Sequence, residues 1–117
     1  MSPAGLVKIV LQPLSTVPVA YAPMSKTFAI TYHYVPDILE RRAPHRPAHL
    51  GRLQQRLAEG KLILAGAFAD PVDGALLVVE AESAGEVYAW IAGDPYTEAG
   101  LITSVDVRET NVAVKSY

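Results

Sequence analysis

The sequence contains no cysteine among its 117 residues, which excludes a disulfide framework, a thiolate zinc site, an iron–sulfur cluster and a cysteine nucleophile. With no disulfide chemistry to accommodate, a cytoplasmic location is expected. Charge is also scarce. Only 19% of residues are Asp, Glu, Lys or Arg, the formal net charge is −2 and the isoelectric point lies near 5.9, so the bulk composition draws the chain neither to nucleic acid nor to an anionic membrane. No apolar run approaches the roughly 20 residues that a membrane helix needs. Half of the residues are hydrophobic, too many for a disordered chain, and the length suits one core with no room for a second.

Proline is unevenly spread. Residues 1–23 hold four of the nine prolines (Pro3, Pro13, Pro18, Pro23) and a single charge, Lys8, a density that permits neither a regular helix nor a sheet interior. A secretory signal is a poor fit, because Pro13 cuts its apolar run short. The stretch reads as a leader outside the fold, either disordered or the product of a misassigned start, and the domain proper spans residues 24–117.

The small net charge hides two opposed blocks. Residues 41–61 carry six bases (Arg41, Arg42, Arg46, Arg52, Arg56, Lys61) against one acid, Glu59, whereas residues 62–117 carry nine acids against two bases. The basic block is either a solvated helix in an acidic domain or a cationic rim for a small anion.

From Lys26 the chain alternates, with Phe28, Ile30, Tyr32 and Tyr34 on one face and Ala29, Thr31, His33 and Val35 on the other, the pattern of a strand. After Pro36-Asp37 and a basic loop, Leu50, Leu53 and Leu57 recur at helical spacing up to Gly60; Pro44 and Pro47 place the helix start near residues 43–46. Residues 62–65 and 75–82 are strand-like and joined by a turn rich in Asp, Pro and Gly. Ser83 and Glu86 form a capping box for a second helix that Gly93 ends. Asp94 then caps a further short turn led by Pro95 and closed by Gly100, and Leu101, Thr103, Val105 and Val107 begin the last strand. The order predicts an α+β, ferredoxin-like βαββαβ sandwich, a four-stranded antiparallel sheet with two helices on one face. Residues 75–81 are apolar at both parities, so the open face should be covered, most simply by a second copy in a face-to-face homodimer.

Histidine and carboxylate are the chemistry left. His45 and His49 are four apart and share a helix face, a spacing that also suits two metal ligands; no third ligand is placed by spacing, so no metal is expected. Near the positive end of the helix, beside Arg42 and Arg46, a neutral His45 suits a hydrogen-bonding role. His33, with Ser104 and Asp106 of the last strand, would put a polar strip on the open face, readable as a ligand cleft or as part of an interface. Asp94 reads as a helix cap and Tyr96 as packing. No glycine-rich phosphate loop, nucleophile elbow or dinucleotide fingerprint occurs, so no cofactor is expected.

With the segments Arg41-Arg42-Ala43-Pro44-His45-Arg46-Pro47-Ala48-His49-Leu50, Gly60-Lys61-Leu62-Ile63-Leu64-Ala65-Gly66 and Asp94-Pro95-Tyr96 in this order, the chain resembles the YciI-like (YCII-related) family from about residue 24 to the C-terminus. The resemblance implies a dimeric ferredoxin-like fold and a site built on a histidine and an aspartate, which map onto His49 and Asp94. It also implies uncertainty of reaction, since one branch of the family looks like a dehydrochlorinase of a chlorinated hydroxylated aromatic while most members have no known reaction. A geometric objection stands beside it. If the first helix starts at the opposite end of the sheet from where the second stops, His49 and Asp94 should not touch within one chain.

The resulting expectation is a cofactor-independent enzyme of proton transfer, an isomerase or a dehydrochlorinase-like lyase, acting on a small anionic or phenolic compound. His49 would be general base, Asp94 its orienting partner, and Arg46 with His45 the holders of substrate charge, with Tyr96, His33 and Ser104 as further ligand contacts. The competing reading is a non-catalytic domain that binds a small molecule in the same cleft.

Overall fold

The computed structural model describes residues 25–116; the leader assigned to residues 1–23 lies outside them. Along the chain run β1 (Lys26–Tyr34), α1 (Ile38–Arg41), α2 (Arg46–Ala58), β2 (Leu62–Ala67), β3 (Gly74–Ala81), α3 (Ala84–Ala92), α4 (Pro95–Glu98) and β4 (Ile102–Thr110). The four strands form one antiparallel sheet in the order β2-β3-β1-β4. This is the expected ferredoxin-like α+β arrangement, with two one-turn helices, α1 and α4, added at its corners. No helix among the described residues is long and apolar enough to cross a membrane.

The alternation read in β1 sorts its faces. Phe28, Ile30 and Tyr32 pair with Val79, Leu77 and Ala75 of β3, and all six are buried beneath the helices together with Val87 and Ile91 of α3. The opposite face carries Thr31, His33, Leu76 and Val78 with Ser104 and Asp106. A second, smaller cluster of Ile38, Tyr96 and Leu101 ties α1 to α4 and to the start of β4. Sequence periodicity misses α1 because it is a single turn with one buried residue, Ile38.

Helix α2 departs from expectation in its rotation. The Leu50, Leu53 and Leu57 stripe does not face the sheet squarely: Leu57 is 57% exposed, while His49 and Arg56 are buried. The polar side chains win because each finds a partner. His49 meets Asp94, and Arg56 Nη2 donates to the Glu80 carbonyl and lies 3.5 Å from Glu86. The cap of α3 also differs in detail. Ser83 Oγ accepts from the Glu86 N–H as a capping box requires, but the Glu86 carboxylate accepts from the N–H of Glu82, one residue earlier than expected.

The two ends that matter for the site lie together. Tyr34, the last residue of β1, is paired with Ile102 at the start of β4, and the Val35 N–H donates to the Leu101 carbonyl. The chain therefore leaves β1 toward α2 at the same end of the sheet at which α3 and α4 deliver it to β4. The start of α2 and the end of α3 are neighbours, which corrects the objection raised from topology. With β1 and β4 antiparallel, the helix following one strand and the helix preceding the other must meet there.

Candidate functional site

His49 sits in the first turn of α2 and Asp94 at the N-cap of α4. The His49 Nδ1 lies 2.9 Å from both Asp94 carboxylate oxygens, with Asp94 fully buried and His49 6% exposed. An ionised carboxylate only accepts, so Nδ1 carries a proton, and the neutral form of the ring has its lone pair on Nε2. Asp94 Oδ1 also accepts from the Tyr96 N–H at 2.8 Å, the capping bond foreseen for this turn, so capping and imidazole binding are done by one carboxylate. The Tyr96 ring stacks on the imidazole, with centroids 3.8 Å apart and planes 5° from parallel. One turn of chain thus holds both the edge and the face of the histidine.

Beside this pair opens a cavity of about 370 Å³, in the size range of small-molecule sites. Its floor is the helix-side face of the sheet at Tyr32, Ala75 and Leu77, its walls are Arg46, His49, Leu50 and Leu53 of α2, and Arg42, Tyr34, Phe68 and Tyr96 surround it. It exists because the helix-facing positions of the neighbouring strands are small. Ala65 and Ala67 of β2 pair with Leu77 and Ala75 of β3, and no large side chain fills the space below α2.

The electrostatics favour an anion. Arg46 opens α2, whose first turn holds no acid although the positive end of the helix dipole favours acids there, and Arg42 follows the last turn of α1 and lines the same cavity. A cation at the position of Arg46 works against helix stability by about 0.3–1 kcal/mol, and the two guanidiniums give that side of the cavity a positive rim. Three tyrosines add neutral donors. Burial, chiefly, with the carboxylate of Asp94 adding to it, pushes the Tyr32 hydroxyl well above the ordinary tyrosine range. Burial and the neighbouring Tyr96 push Tyr34 up to about 12. Burial also raises Tyr96, against the opposing pull of Arg46 and Arg42. The hydroxyl of Tyr32 is buried without a hydrogen-bond partner in the protein, and that of Tyr96 lies beside the Arg46 guanidinium.

Of the residues singled out from sequence, the structure brings His49, Asp94, Arg46 and Tyr96 together. His45 is different: it is the N-cap residue of α2, makes no capping bond with its side chain, and does not line the cavity. Arg42, one turn earlier, lines it instead. His33 and Ser104 also lie elsewhere. They face each other across β1 and β4, and His33 Nε2 is 3.1 Å from Asp106, so the polar strip foreseen there forms. It lies on the open face, however, while the cavity is on the helix side, because a cleft needs a second wall and α2 supplies it only there. Tyr32, Tyr34 and Arg42 had not been assigned to the site. The available signal was the run of small residues Ala65-Gly66-Ala67 opposite Ala75, which leaves the helix-side tyrosines facing a void. Among the described residues no group of three His, Asp or Glu side chains is arranged to hold a metal ion.

Known proteins resemble the chain in sequence and in fold. The chain is 40% identical over 81 residues to the protein YciI of Escherichia coli O6:H1, a match covering 62% of this chain and 83% of that protein. It is 35% identical over 83 residues to an uncharacterized protein of Haemophilus influenzae, covering 63% and 85%. Among solved structures it resembles 5-chloro-2-hydroxyhydroquinone dehydrochlorinase (TftG) from Burkholderia phenoliruptrix AC1100, in complex with 2,5-dihydroxybenzoquinone, at 27% identity and a TM-score of 0.67 over 74% of this chain and 95% of that one. The model of the YCII-related domain matches residues 27–111, from the second residue of β1 to just past the end of β4. The match takes in every helix and strand that builds the His49–Asp94 pocket, and the chain belongs to the YCII-related domain family.

Proposed function

We propose that this protein is a small enzyme of proton-transfer chemistry, an isomerase or an eliminating lyase, acting without a cofactor on a small anionic or phenolic compound in the cytoplasm. The observation that carries the reading is the buried His49–Asp94 pair in the wall of the cavity, with Nδ1 engaged and Nε2 left as a base. Nε2 takes a proton from an acidic C–H or O–H of the bound compound, and Asp94 holds the imidazolium that results. The electron pair left behind delocalises onto a substrate oxygen, where the guanidiniums of Arg46 and Arg42 and the protonated tyrosine hydroxyls meet the developing charge. The proton then returns to another atom, which isomerises the compound, or the electron pair expels a leaving group as its anion, which completes an elimination. The named chemistry of the dehydrochlorinase resembling this chain supports the second course.

Replacing His49 by Ala tests the reading. Across a panel of hydroxylated and chlorinated aromatics, His49→Ala should bind as wild type does and lose turnover by about 10²- to 10⁴-fold. Wild-type binding with no turnover of any compound would instead make the protein a binding module.

The reading extends to self-association through the open face of the sheet. Leu64 and Leu76 stand 46% and 37% exposed there, beside Val78, in a domain small enough to gain from a partner. Sedimentation should give a dimer, and Leu76→Glu should give a monomer.

A further inference from the structure

We propose that Arg52 is a positioning residue of the His49–Asp94 pair and that Gly93 is the residue that admits it; the functional weight of this rests on the reading of the pair given above. Arg52 lies three residues after His49 on α2, so the two side chains leave the helix on adjoining faces. It crosses to the end of α3, where Nη1 donates to the Trp90 carbonyl at 2.9 Å. That carbonyl is otherwise held by a long, 3.3 Å bond from the Gly93 N–H. The guanidinium thus fastens the last turn of α3 to α2, immediately before Asp94.

Three observations separate this from an ordinary surface contact. Gly93 has no side chain where the guanidinium passes, and a Cβ built there would lie 3.2 Å from Nη2, so alanine would make the guanidinium give way by a few tenths of an ångström. Arg52 is not among the residues lining the cavity beside His49, so it does not act on a ligand directly. It also forms no carboxylate ion pair among the described residues. Its charge is met by the helix-end carbonyl and by the face of Trp90, 5.5 Å away.

Arg56 supplies the comparison. It stacks on the same indole at 5.1 Å, but its other partners are the Glu80 carbonyl and the Glu86 carboxylate, at the far end of α3. Both arginines brace α2, and only Arg52 braces it at Asp94.

The test follows the His49 Nδ1 proton by NMR in the full chain labelled with ¹⁵N-histidine. Asp94→Asn should abolish or displace that resonance, which locates it; if the signal is indifferent to Asp94→Asn, the pair itself is refuted, separately from the role of Arg52. Arg52→Met should then shift the resonance and raise its solvent-exchange rate at least tenfold, Arg52→Lys should restore it in part through the carbonyl bond, and Gly93→Ala should shift it in the same direction by less with the charge intact. Arg56→Met should lower thermal stability and leave the resonance in place. An unchanged resonance in Arg52→Met overturns the proposal, as does an equal effect of Arg56→Met. Should Arg52→Met fail to fold, Gly93→Ala and Arg52→Lys decide the same question.

Discussion

The rings of His49 and Tyr96 lie parallel within 5° and 3.8 Å apart, while the backbone N–H of that same tyrosine binds the carboxylate that holds the imidazole edge. The hydrogen bond fixes the direction of the imidazole, and the stack fixes its plane. Together they leave Nε2 with one orientation.

Tyr96→Phe keeps the stack and removes only the buried hydroxyl, so stability should be equal or higher, while turnover should fall by no more than the loss of that one donor to the developing charge. Tyr96→Leu loses the flat face and should be less stable by about 0.5–1.5 kcal/mol beyond the loss of buried area, with turnover down several-fold. Thermal unfolding and steady-state kinetics on the two variants decide this. Equal behaviour of the two would deny the stack its role.

Asp94 performs two tasks that substitution can separate. Asparagine is as good an N-cap as aspartate, so Asp94→Asn should keep the bond from the Tyr96 N–H, whereas Asp94→Ala should lose a further ~0.5–2 kcal/mol with the cap. Both should lose turnover by a factor on the order of 10² to 10⁴, because neither holds the imidazole proton on Nδ1 and its charge in place. Urea unfolding beside kinetics should show the two variants different in stability and alike in inactivity.

Arg46 occupies the first turn of α2, where the helix dipole disfavours a cation. Arg46→Glu should therefore leave the fold unchanged or stabilise it by about 0.3–1 kcal/mol, while weakening the binding of an anionic ligand at least tenfold. Raised salt should weaken wild-type binding in the same direction. Calorimetric titration and thermal unfolding of the one variant check both halves, and a loss of stability without loss of binding would contradict the assignment.

Alkaline pH should act through the buried tyrosines. The unfolded chain releases tyrosine protons near 10, whereas Tyr34 holds its proton to about 12 in the fold, with Tyr32 and Tyr96 also raised. Between those limits the native state binds more protons than the unfolded one, so stability falls as pH rises above about 10 and is untouched below it. Urea unfolding across that window should show the decline, and Tyr34→Phe should make it shallower while Tyr32 and Tyr96 keep the rest. A stability independent of pH there would mean that the hydroxyls are not buried in solution.

The site was partly legible in the chain. The Asp94-Pro95-Tyr96 turn and its cap are local, set by residues one to three apart, and the structure has them as the sequence reads. His49 is legible as a site residue through the resemblance to the YciI-like family, and Arg46 through the basic block that offers a rim for an anion. Tyr32, Tyr34 and Arg42 were not legible as site residues, because their place in the cavity depends on which strand-facing positions are small and on how far α2 stands from the sheet.

Length, alternation, capping and turn chemistry are properties of neighbours along the chain, and from them the amino-acid sequence by itself determined the order of the strands and the two long helices, the faces of β1 and the class of fold. Which face holds the cavity, and that His49 reaches Asp94, were decided only in three dimensions. Strand direction brought the start of α2 and the end of α3 to one end of the sheet. The rotation of α2 was then chosen by contacts between residues 45 positions apart, where a buried hydrogen bond to a carboxylate outweighed the burial of a leucine stripe.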